Sequence, residues 1–410
     1  MDGKTRVKTA IAHQEPDRVP LFEAAFSSKL ASKILGRQIY LPSNGGASFR
    51  YFLQKGMIDS AALSEAAVKS AQDAIELYSH LGIDMIRVRI TDFLSPVDFG
   101  YGNYGSNFLF DVDVNEIREN HWRISGPENF WSEHIYEPET DAMMCIDHTI
   151  HQGGMEEFRR WVSFLEKQPA DMPRKAGPGM DGVRAAVSAA RDKGIFVLGW
   201  GDVAYPGSSP YLTLFLTAMS TEPELIHRYM DVTTEGGLTF VKAQLEAGVD
   251  GIIGGNDWCF KSGPMFSPAY FRRFFVPYLK KIVDLCHEYG VPYIKHLDGN
   301  TTKLLPALVN EVGIDGHHPI EPDAGMDIAE LKHQYGSKIT LLGNLDCGDL
   351  LVNGTVKEVE AQTRKILRSV SPGGGHIFSS SNSIHDGVRL ENLYKMLETV
   401  KTYGTYPIQA

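Results

Sequence analysis

Two residues of the segment KHLDGN, His296 and Asp298, have the types and the spacing needed to carry out chemistry. Alternate residues of a β-strand point to the same side, so an imidazole and a carboxylate are presented together. Such a pair is typical of half a metal site, or of a His–Asp acid and base pair. Glu321 and Cys347 offer further oxygen and sulfur donors that could complete a mixed zinc site. Both interpretations stay open on the residues alone.

Further polar residues follow the predicted strands at a nearly constant distance from a glycine that ends each preceding helix. The residues expected to bind substrate are Asp202, Tyr205, Asn256, Asp257, His318 and Asn382. His385, in the serine-rich loop after the last predicted strand, is expected to act in catalysis with His296 and Asp298. Burying so many polar groups without partners would be costly, which favours a ligand, a metal or mutual hydrogen bonds at one shared site.

One local pattern that recurs along the chain would position these residues. In it a helix ends at a glycine, and a short apolar run follows. The junction occurs, for example, as LGIDMIRVRI from Leu81 and as YGVPYIKHLD from Tyr289. Glycine suits the left-handed position that ends a helix, and apolar runs are typical of parallel strands covered on both faces. With a first strand at 18–26, the alternation predicts a TIM-type (β/α)8 barrel over 1–410 as one domain. An open doubly wound sheet is disfavoured because the chain has no glycine-rich phosphate motif.

Residues 91–152 do not fit this alternation. They are rich in Asp, Asn and aromatic residues, and they contain the hairpin-like runs NFLFDVDV and HWRISG. Loops of this length in compact proteins are more often functional than idle. We therefore expect an insertion after the second strand, a loop and β-ribbon at the catalytic end of the barrel.

The composition of the chain excludes several classes of function. Its 410 residues include 40 Lys+Arg and 51 Asp+Glu, and this acidic balance argues against binding nucleic acid or an anionic membrane. No apolar run approaches the length of a membrane span, and the first residues lack the apolar region of a signal peptide. Four cysteines without a CxxC pair indicate reduced thiols. These features together predict a cytoplasmic protein.

Five segments of the chain resemble the uroporphyrinogen decarboxylase superfamily, which includes the corrinoid-dependent methyltransferases. They are EPDRVP (15–20), SGPMFSPAYFRRFFVPYLKKI (262–282), KHLDGN (295–300), LLGNLD (341–346) and GGGHIFSSSNSIHDGVRLENL (373–393). The resemblance extends over nearly the whole chain. It implies a TIM-type barrel with the site at the carboxyl ends of the strands, and a monomer or homodimer.

The motifs of the two branches of this superfamily differ from those of the present chain. Decarboxylases proper carry an arginine-rich segment near the first strand and a histidine in the last loop, where this chain has RVPLFEAAFSSK and Asn382. Methyltransferases hold zinc with an HxC pair and a later cysteine, and here His296, Asp298 and Asn382 stand at those positions. The resemblance therefore implies a demethylating relative with an oxygen-richer site.

The resulting expectation is a methyltransferase that moves a methyl group from a small methyl ether or methylamine to the Co(I) corrinoid of a partner protein. Zinc held by His296, Asp298, Glu321 and Cys347, or a general acid at the same place, would stabilise the leaving group. The corrinoid belongs to the partner protein and not to this chain.

Two alternatives remain open from the sequence. A decarboxylase-like lyase acting on a small carboxylated substrate would need a buried arginine at the mouth of the barrel, and Arg87, Arg89 and Arg123 are the options. A non-catalytic barrel that only binds a ligand would need none of this chemistry. Metal content separates the methyltransferase, which should hold zinc, from both alternatives.

Overall fold

The barrel strands alternate with helices and with two short antiparallel sheets. A computed structural model describes residues 1–41, 46–88, 112–168, 178–207 and 209–408. The strands are β1 (Phe22–Glu23), β2 (Met85–Arg87), β3 (Asp113–Arg118), β4 (His121–Ser125), β5 (Trp131–Glu137), β6 (Ala142–His148), β7 (Phe196–Trp200), β8 (Gly251–Gly254), β9 (Cys259–Phe260), β10 (Gly263–Pro264), β11 (Tyr293–His296), β12 (Gly316–His318), β13 (Thr340–Leu345) and β14 (His376–Ser380).

The helices cover the outside of the sheet. They are α1 (Gly3–Ile11), α2 (Ser28–Leu35), α3 (Gly46–Ile58), α4 (Ser60–Leu81), α5 (Thr149–Leu165), α6 (Pro178–Arg191), α7 (Leu212–Thr221), α8 (Pro223–Ala247), α9 (Pro268–Phe274), α10 (Val276–Glu288), α11 (Leu305–Ala307), α12 (Ile328–Tyr335), α13 (Leu350–Asn353), α14 (Val356–Val370) and α15 (Leu390–Tyr403). No helix in the described ranges is long and apolar enough to cross a bilayer.

Eight parallel strands of the described chain form one sheet in the order β1-β2-β7-β8-β11-β12-β13-β14. A parallel bridge between Leu21 and Phe378 joins the first strand of this sheet to the last. The predicted TIM-type barrel is thereby confirmed. Its mouth, the end where the strands reach their carboxyl termini, is where catalytic residues of such barrels lie.

The interior of the barrel is filled by apolar side chains from alternate strand positions. The inward-facing residues that pack together are Phe22, Met85, Phe196, Leu198, Ile253, Ile294, Leu342 and Ile377. A larger apolar cluster fills the space between the strands and the surrounding helices. Because strand residues alternate between these two clusters, the inward position of Ile294 also directs His296 into the mouth.

Helix α1 closes the end of the barrel opposite the mouth. Val7 and Ala10 pack on the inner apolar cluster, and the Arg6 guanidinium donates to Asp84, which precedes β2, at 2.6 Å. The chain ends meet at this closed end, since the Val19 amide donates to the Gly404 carbonyl at 2.8 Å. The predicted site residues therefore share a barrel whose other end is plugged.

The segment expected to form the inserted ribbon contains a four-stranded antiparallel sheet in the order β3-β4-β5-β6, between residues 113 and 148. Its buried face packs Trp122, Ile124 and Met143 against Phe49 and Leu53 of α3. The sheet follows β2, so it leaves the barrel at the carboxyl end of that strand. Residues 91–111 of the predicted insertion lie outside the described residues.

Glu23, at the end of β1, is a fully buried carboxyl group outside the mouth. It accepts hydrogen bonds from the amide of Ser380 at 3.0 Å and from its hydroxyl at 2.6 Å. Burial nevertheless raises the pKa of Glu23 to about 8, because the two hydrogen bonds only partly offset the lost hydration of the charged form. The folded protein therefore keeps a proton that the unfolded chain has released at neutral pH.

Replacing Glu23 with glutamine should remove a pH-dependent loss of stability. The pKa of Glu23 is raised on folding, so its contribution is fully present below the ordinary pKa of 4.5 and is lost as the pH rises to about 8. The free energy of unfolding of E23Q should exceed that of the wild type increasingly over this window, by at most about 1.4 kcal/mol per pH unit. Urea unfolding at several pH values measures the difference. Parallel curves for the two proteins would contradict the prediction.

Candidate active site

The mouth of the barrel brings Asp257, His296 and Asp298 together. One ligand atom from each residue lies within 4.8 Å of the others. His296 ends β11, and its Nε2 atom lies 3.2 Å from Oδ1 of Asp298. The Asp257 carboxylate, contributed by the loop after β8, accepts a hydrogen bond from the backbone N–H of Asp298. An imidazole nitrogen and two carboxylates thus converge on one point.

The electrostatics of this group favour the neutral form of each member. Burial, and then the nearby carboxylates, raises the pKa of Asp298 well above its ordinary value. Burial of its carboxyl group also raises the pKa of Asp257, although the residue as a whole is exposed to solvent. Burial and the neighbouring His318 hold the pKa of His296 well below its ordinary value. A cation placed among these groups would stabilise the ionised carboxylates and the neutral imidazole.

The residues present fit a zinc ion. Asp298 Oδ1 has no hydrogen-bond partner among the described residues, although it is buried and close to His296. One histidine nitrogen and two carboxylate oxygens are ligands that zinc accepts, and three protein ligands are typical of a catalytic zinc with an open position. Asp257, expected to bind substrate, lies in this potential metal group.

Glu321 and Asn382 lie around this group. Asn382 Nδ2 donates to Asp298 Oδ2 at 2.9 Å and approaches Glu321 Oε1 at 3.5 Å. The other oxygen of Glu321 accepts from the amide of Gly299 at 2.8 Å. Glu321, expected as a metal ligand, therefore supports the loop that carries Asp298, and Asn382 orients that carboxylate.

Cys347, expected as a metal ligand, and His385, expected to act in catalysis, lie outside this group of described residues. The Cys347 side chain is buried, and the Ser381 hydroxyl donates to its sulfur at 3.5 Å. Burial raises the pKa of this thiol to about 11, which keeps it neutral and a poor ligand. His385 bonds the Cys347 carbonyl through Nε2 and the Gly387 amide through Nδ1. Both ring nitrogens of His385 are thus used to hold its loop.

His318, expected to bind substrate, lies beside His296 in the floor of the mouth. The two Nδ1 atoms are 2.7 Å apart, and the two ring planes are inclined by 27° with centroids 4.9 Å apart. The His318 side chain is fully buried, and the ring of Phe22 meets it edge-on. His318 therefore contacts a potential metal ligand rather than the open part of the mouth.

The other residues expected to bind substrate hold the loops after β7 and β8. Asn256 Nδ2 donates to the Val203 carbonyl at 2.7 Å, and Asp202 Oδ2 accepts from the Asn256 amide at 3.1 Å. Tyr205 is 1% exposed, and its hydroxyl lies 3.2 Å from the sulfur of Met265. These three side chains are buried, and their hydrogen bonds support the loops after β7 and β8.

Lys295 is a buried charged residue behind the site that the sequence patterns did not indicate. It lies fully buried next to His296, and its Nζ donates to Asp202 Oδ2 at 2.5 Å and lies 4.2 Å from the centre of the Trp258 ring. Burial lowers the pKa of Lys295, whereas the Asp202 carboxylate opposes that shift. A lysine within the apolar strand segment YIKH was the available signal, since a charge there needs a buried partner.

The three arginines considered for a lyase lie in different parts of the chain. Arg87 ends β2 and lies over the ring of Trp200 at 5.0 Å, and its charge helps to hold the pKa of both His296 and His318 low. Arg123 belongs to the inserted sheet and pairs there with Glu133 at 2.9 Å. Arg89 lies outside the described residues.

Known proteins match the chain in two ways. Residues 204–403, just under half of the chain, match the family model "Uroporphyrinogen decarboxylase (URO-D)". Curated uroporphyrinogen decarboxylases from Thioalkalivibrio sulfidiphilus and an Azoarcus species are 26% and 28% identical to it over 202 residues. Each alignment covers 48% of this chain, with 54% and 53% of the two relatives, so the chain spans about half the length of the curated relatives it matches.

A solved structure extends the likeness to the rest of the chain. A methyltransferase from Methanosarcina mazei superposes with a TM-score of 0.64 and covers 98% of this chain and 99% of its own. Its sequence is 16% identical, so this likeness concerns the fold. The family match covers the strands that carry Asp257, His296 and Asp298, and the shared fold covers the remainder. Residues 204–403 are thus similar to the uroporphyrinogen decarboxylase family, and the chain as a whole shares the fold of the Methanosarcina mazei methyltransferase.

Proposed function

We propose that the protein is a methyltransferase that uses the group of Asp257, His296 and Asp298 to activate a small methylated donor. The observation that carries this proposal is the convergence of these three ligand atoms within 4.8 Å in the mouth of the barrel. We propose that they hold zinc, which as a Lewis acid would supply stabilisation of negative charge on a leaving atom. The acceptor is the Co(I) corrinoid of a partner protein, and the donor is a methyl ether or methylamine.

The reaction needs little from the enzyme except help for the leaving group. The methyl carbon forms a bond to cobalt, the bond from carbon to oxygen or nitrogen breaks, and its electron pair stays on the heteroatom. That atom must then be protonated or held by a cation. Charges and hydrogen-bond donors already positioned beside the leaving atom lower the cost of this negative charge. Asn382 orients the Asp298 carboxylate for this task through its hydrogen bond of 2.9 Å.

Purified protein should contain about one zinc ion per chain. With a reduced corrinoid protein, it should form methyl-cobalamin from at least one donor in a panel of methoxyaromatics, methylamines and methanol. The visible spectrum of the corrinoid measures this transfer, and removal of zinc with a chelator should abolish it. Zinc-loaded protein that methylates the corrinoid with none of these donors would contradict the proposed function.

Arg87 favours a second candidate, a decarboxylase-like lyase acting on a small carboxylated substrate. Its guanidinium lies near the floor of the mouth, where a carboxylate could accept its hydrogen bonds. The lyase would release carbon dioxide without any corrinoid or metal. Carbon dioxide measured from carboxylated compounds by metal-free protein therefore separates the two candidates.

A further inference from the structure

We propose that His318 is a positioning residue that fixes the proton and the ring orientation of His296, so that His296 presents Nε2 to a metal ion. This inference rests on the metal site proposed above. Gly316 and His318 are alternate residues of β12, and both occupy inward-facing positions of the barrel. His318 lies in the floor of the mouth. It is therefore placed to act on His296 and not on the substrate.

The distance between the two rings determines how they share protons. The Nδ1 atoms lie 2.7 Å apart, a hydrogen-bond distance, so one Nδ1 must donate and the other must accept. If His296 binds a metal through Nε2, that nitrogen must offer a lone pair. The proton of the neutral His296 ring then lies on Nδ1, and His318 accepts it. The proton of His318 is then on its own Nε2.

The opposite arrangement does not suit metal binding. If His318 donated from Nδ1, His296 would carry its proton on Nε2, 3.2 Å from Asp298 Oδ1. That proton would occupy the position needed by the metal. Ligand histidines in metal sites commonly donate their second N–H to an acceptor that fixes the tautomer and the ring. Here the acceptor is another imidazole.

Packing around His318 holds this acceptor still. Its ring plane is inclined by 27° to that of His296, and the ring of Phe22 meets it edge-on with centroids 5.2 Å apart. Its Nε2 atom has no hydrogen-bond partner among the described residues, and the side chain is fully buried. In the tautomer that metal binding requires, the Nε2–H of His318 is a buried donor without a partner among the described residues, and the bond from His296 to the metal has to offset that cost.

The test compares zinc affinity in the wild type, in His318→Phe and in His318→Asn. Phenylalanine keeps an aromatic ring but removes the acceptor, and we expect zinc affinity to fall about 10- to 100-fold. The side-chain oxygen of asparagine can take the place of Nδ1 as an acceptor, so H318N should stay within a few-fold of the wild type. Competition with a chromophoric chelator gives the affinities. The visible spectrum of the cobalt-substituted protein reports the ligand geometry.

Two controls keep the test decisive. Circular dichroism and urea unfolding of the metal-free variants show whether H318F folds. In addition, nitrogen-15 spectra of zinc-loaded wild type, labelled at histidine, should show a proton on Nδ1 of His296. Wild-type affinity in H318F, or a bare Nδ1 on His296, would overturn the inference and leave the metal site standing. Failure of the wild type to bind zinc would overturn the metal site and the role of His318 together.

Discussion

Replacing His296 with alanine should weaken zinc binding more than about 100-fold, beyond the 10- to 100-fold range typical of second-sphere changes, because it removes a ligand itself. Methyl transfer to a corrinoid protein should fall with the metal. The two remaining ligand candidates, Asp257 and Asp298, are carboxylates whose pKa values are raised in this recess. Without the imidazole they would favour protons over a metal ion. Chelator competition and metal analysis of the purified variant measure the loss.

The matched control for this experiment is His385→Ala. Both ring nitrogens of His385 bond backbone groups, at Cys347 and Gly387, and neither approaches the metal group. H385A should therefore keep about one zinc ion per chain with unchanged affinity. Loss of zinc in H385A together with normal zinc content in H296A would contradict the assignment of His296 as a metal ligand.

Replacing Lys295 with methionine should lower the free energy of unfolding by about 3–5 kcal/mol, the usual cost of leaving one charge of a buried ion pair unpaired. Lys295 and Asp202 are both without side-chain exposure, and they are 2.5 Å apart. Methionine keeps much of the volume, so the change reports mainly the uncompensated Asp202 carboxylate. Urea unfolding at neutral pH, with metal-free protein, measures the effect.

A surface ion pair provides the comparison for Lys295. Lys280 and Asp284 lie 2.6 Å apart on α10 with half of each side chain exposed. Lys280→Met should change the free energy of unfolding by less than about 1 kcal/mol. The double variant K295M/D202N should recover part of the K295M loss, because the second change removes the unpaired charge. An equal, small effect for K295M and K280M would contradict the buried pair.

The helices that alternate with the barrel strands were predictable from the sequence. The amphipathic pattern of the sequence predicts helices at 328–335, 356–370 and 390–403, and α12, α14 and α15 occupy these ranges. Helix α4 ends at Gly82, which adopts the left-handed conformation that the sequence analysis assigned to these glycines. Local periodicity and helix-ending glycines contain this information, so one sequence suffices.

The additions to the barrel were harder to predict. Helices α1, α5 and α7 and the hairpin of β9 and β10 were not among the predicted elements. Their positions depend on contacts with distant segments rather than on a repeating pattern. The Phe260 carbonyl in that hairpin, for example, accepts from the amide of Asn300 at 3.0 Å, a contact that periodicity does not reveal.

Some residues of the site were likewise predictable from the sequence, and others were not. Strand alternation predicted that His296 and Asp298 face the mouth together, and the structure places them there. The exchange of Cys347 for Asp257 depends on how two loops fold, which spacing does not determine. The buried partner of Lys295 is 93 residues away in sequence, so no local pattern could connect them.

The pairing of the two chain ends has a practical consequence for studying the proposed partner. Arg18 and Thr405 form an antiparallel bridge beneath the barrel, on the pole remote from His296. A fluorophore or an affinity tag attached at a cysteine that replaces the exposed Thr405 would emerge from that pole. Protein immobilised on a sensor surface through such a tag would turn its catalytic entrance toward the solution, where a large corrinoid carrier can approach unobstructed.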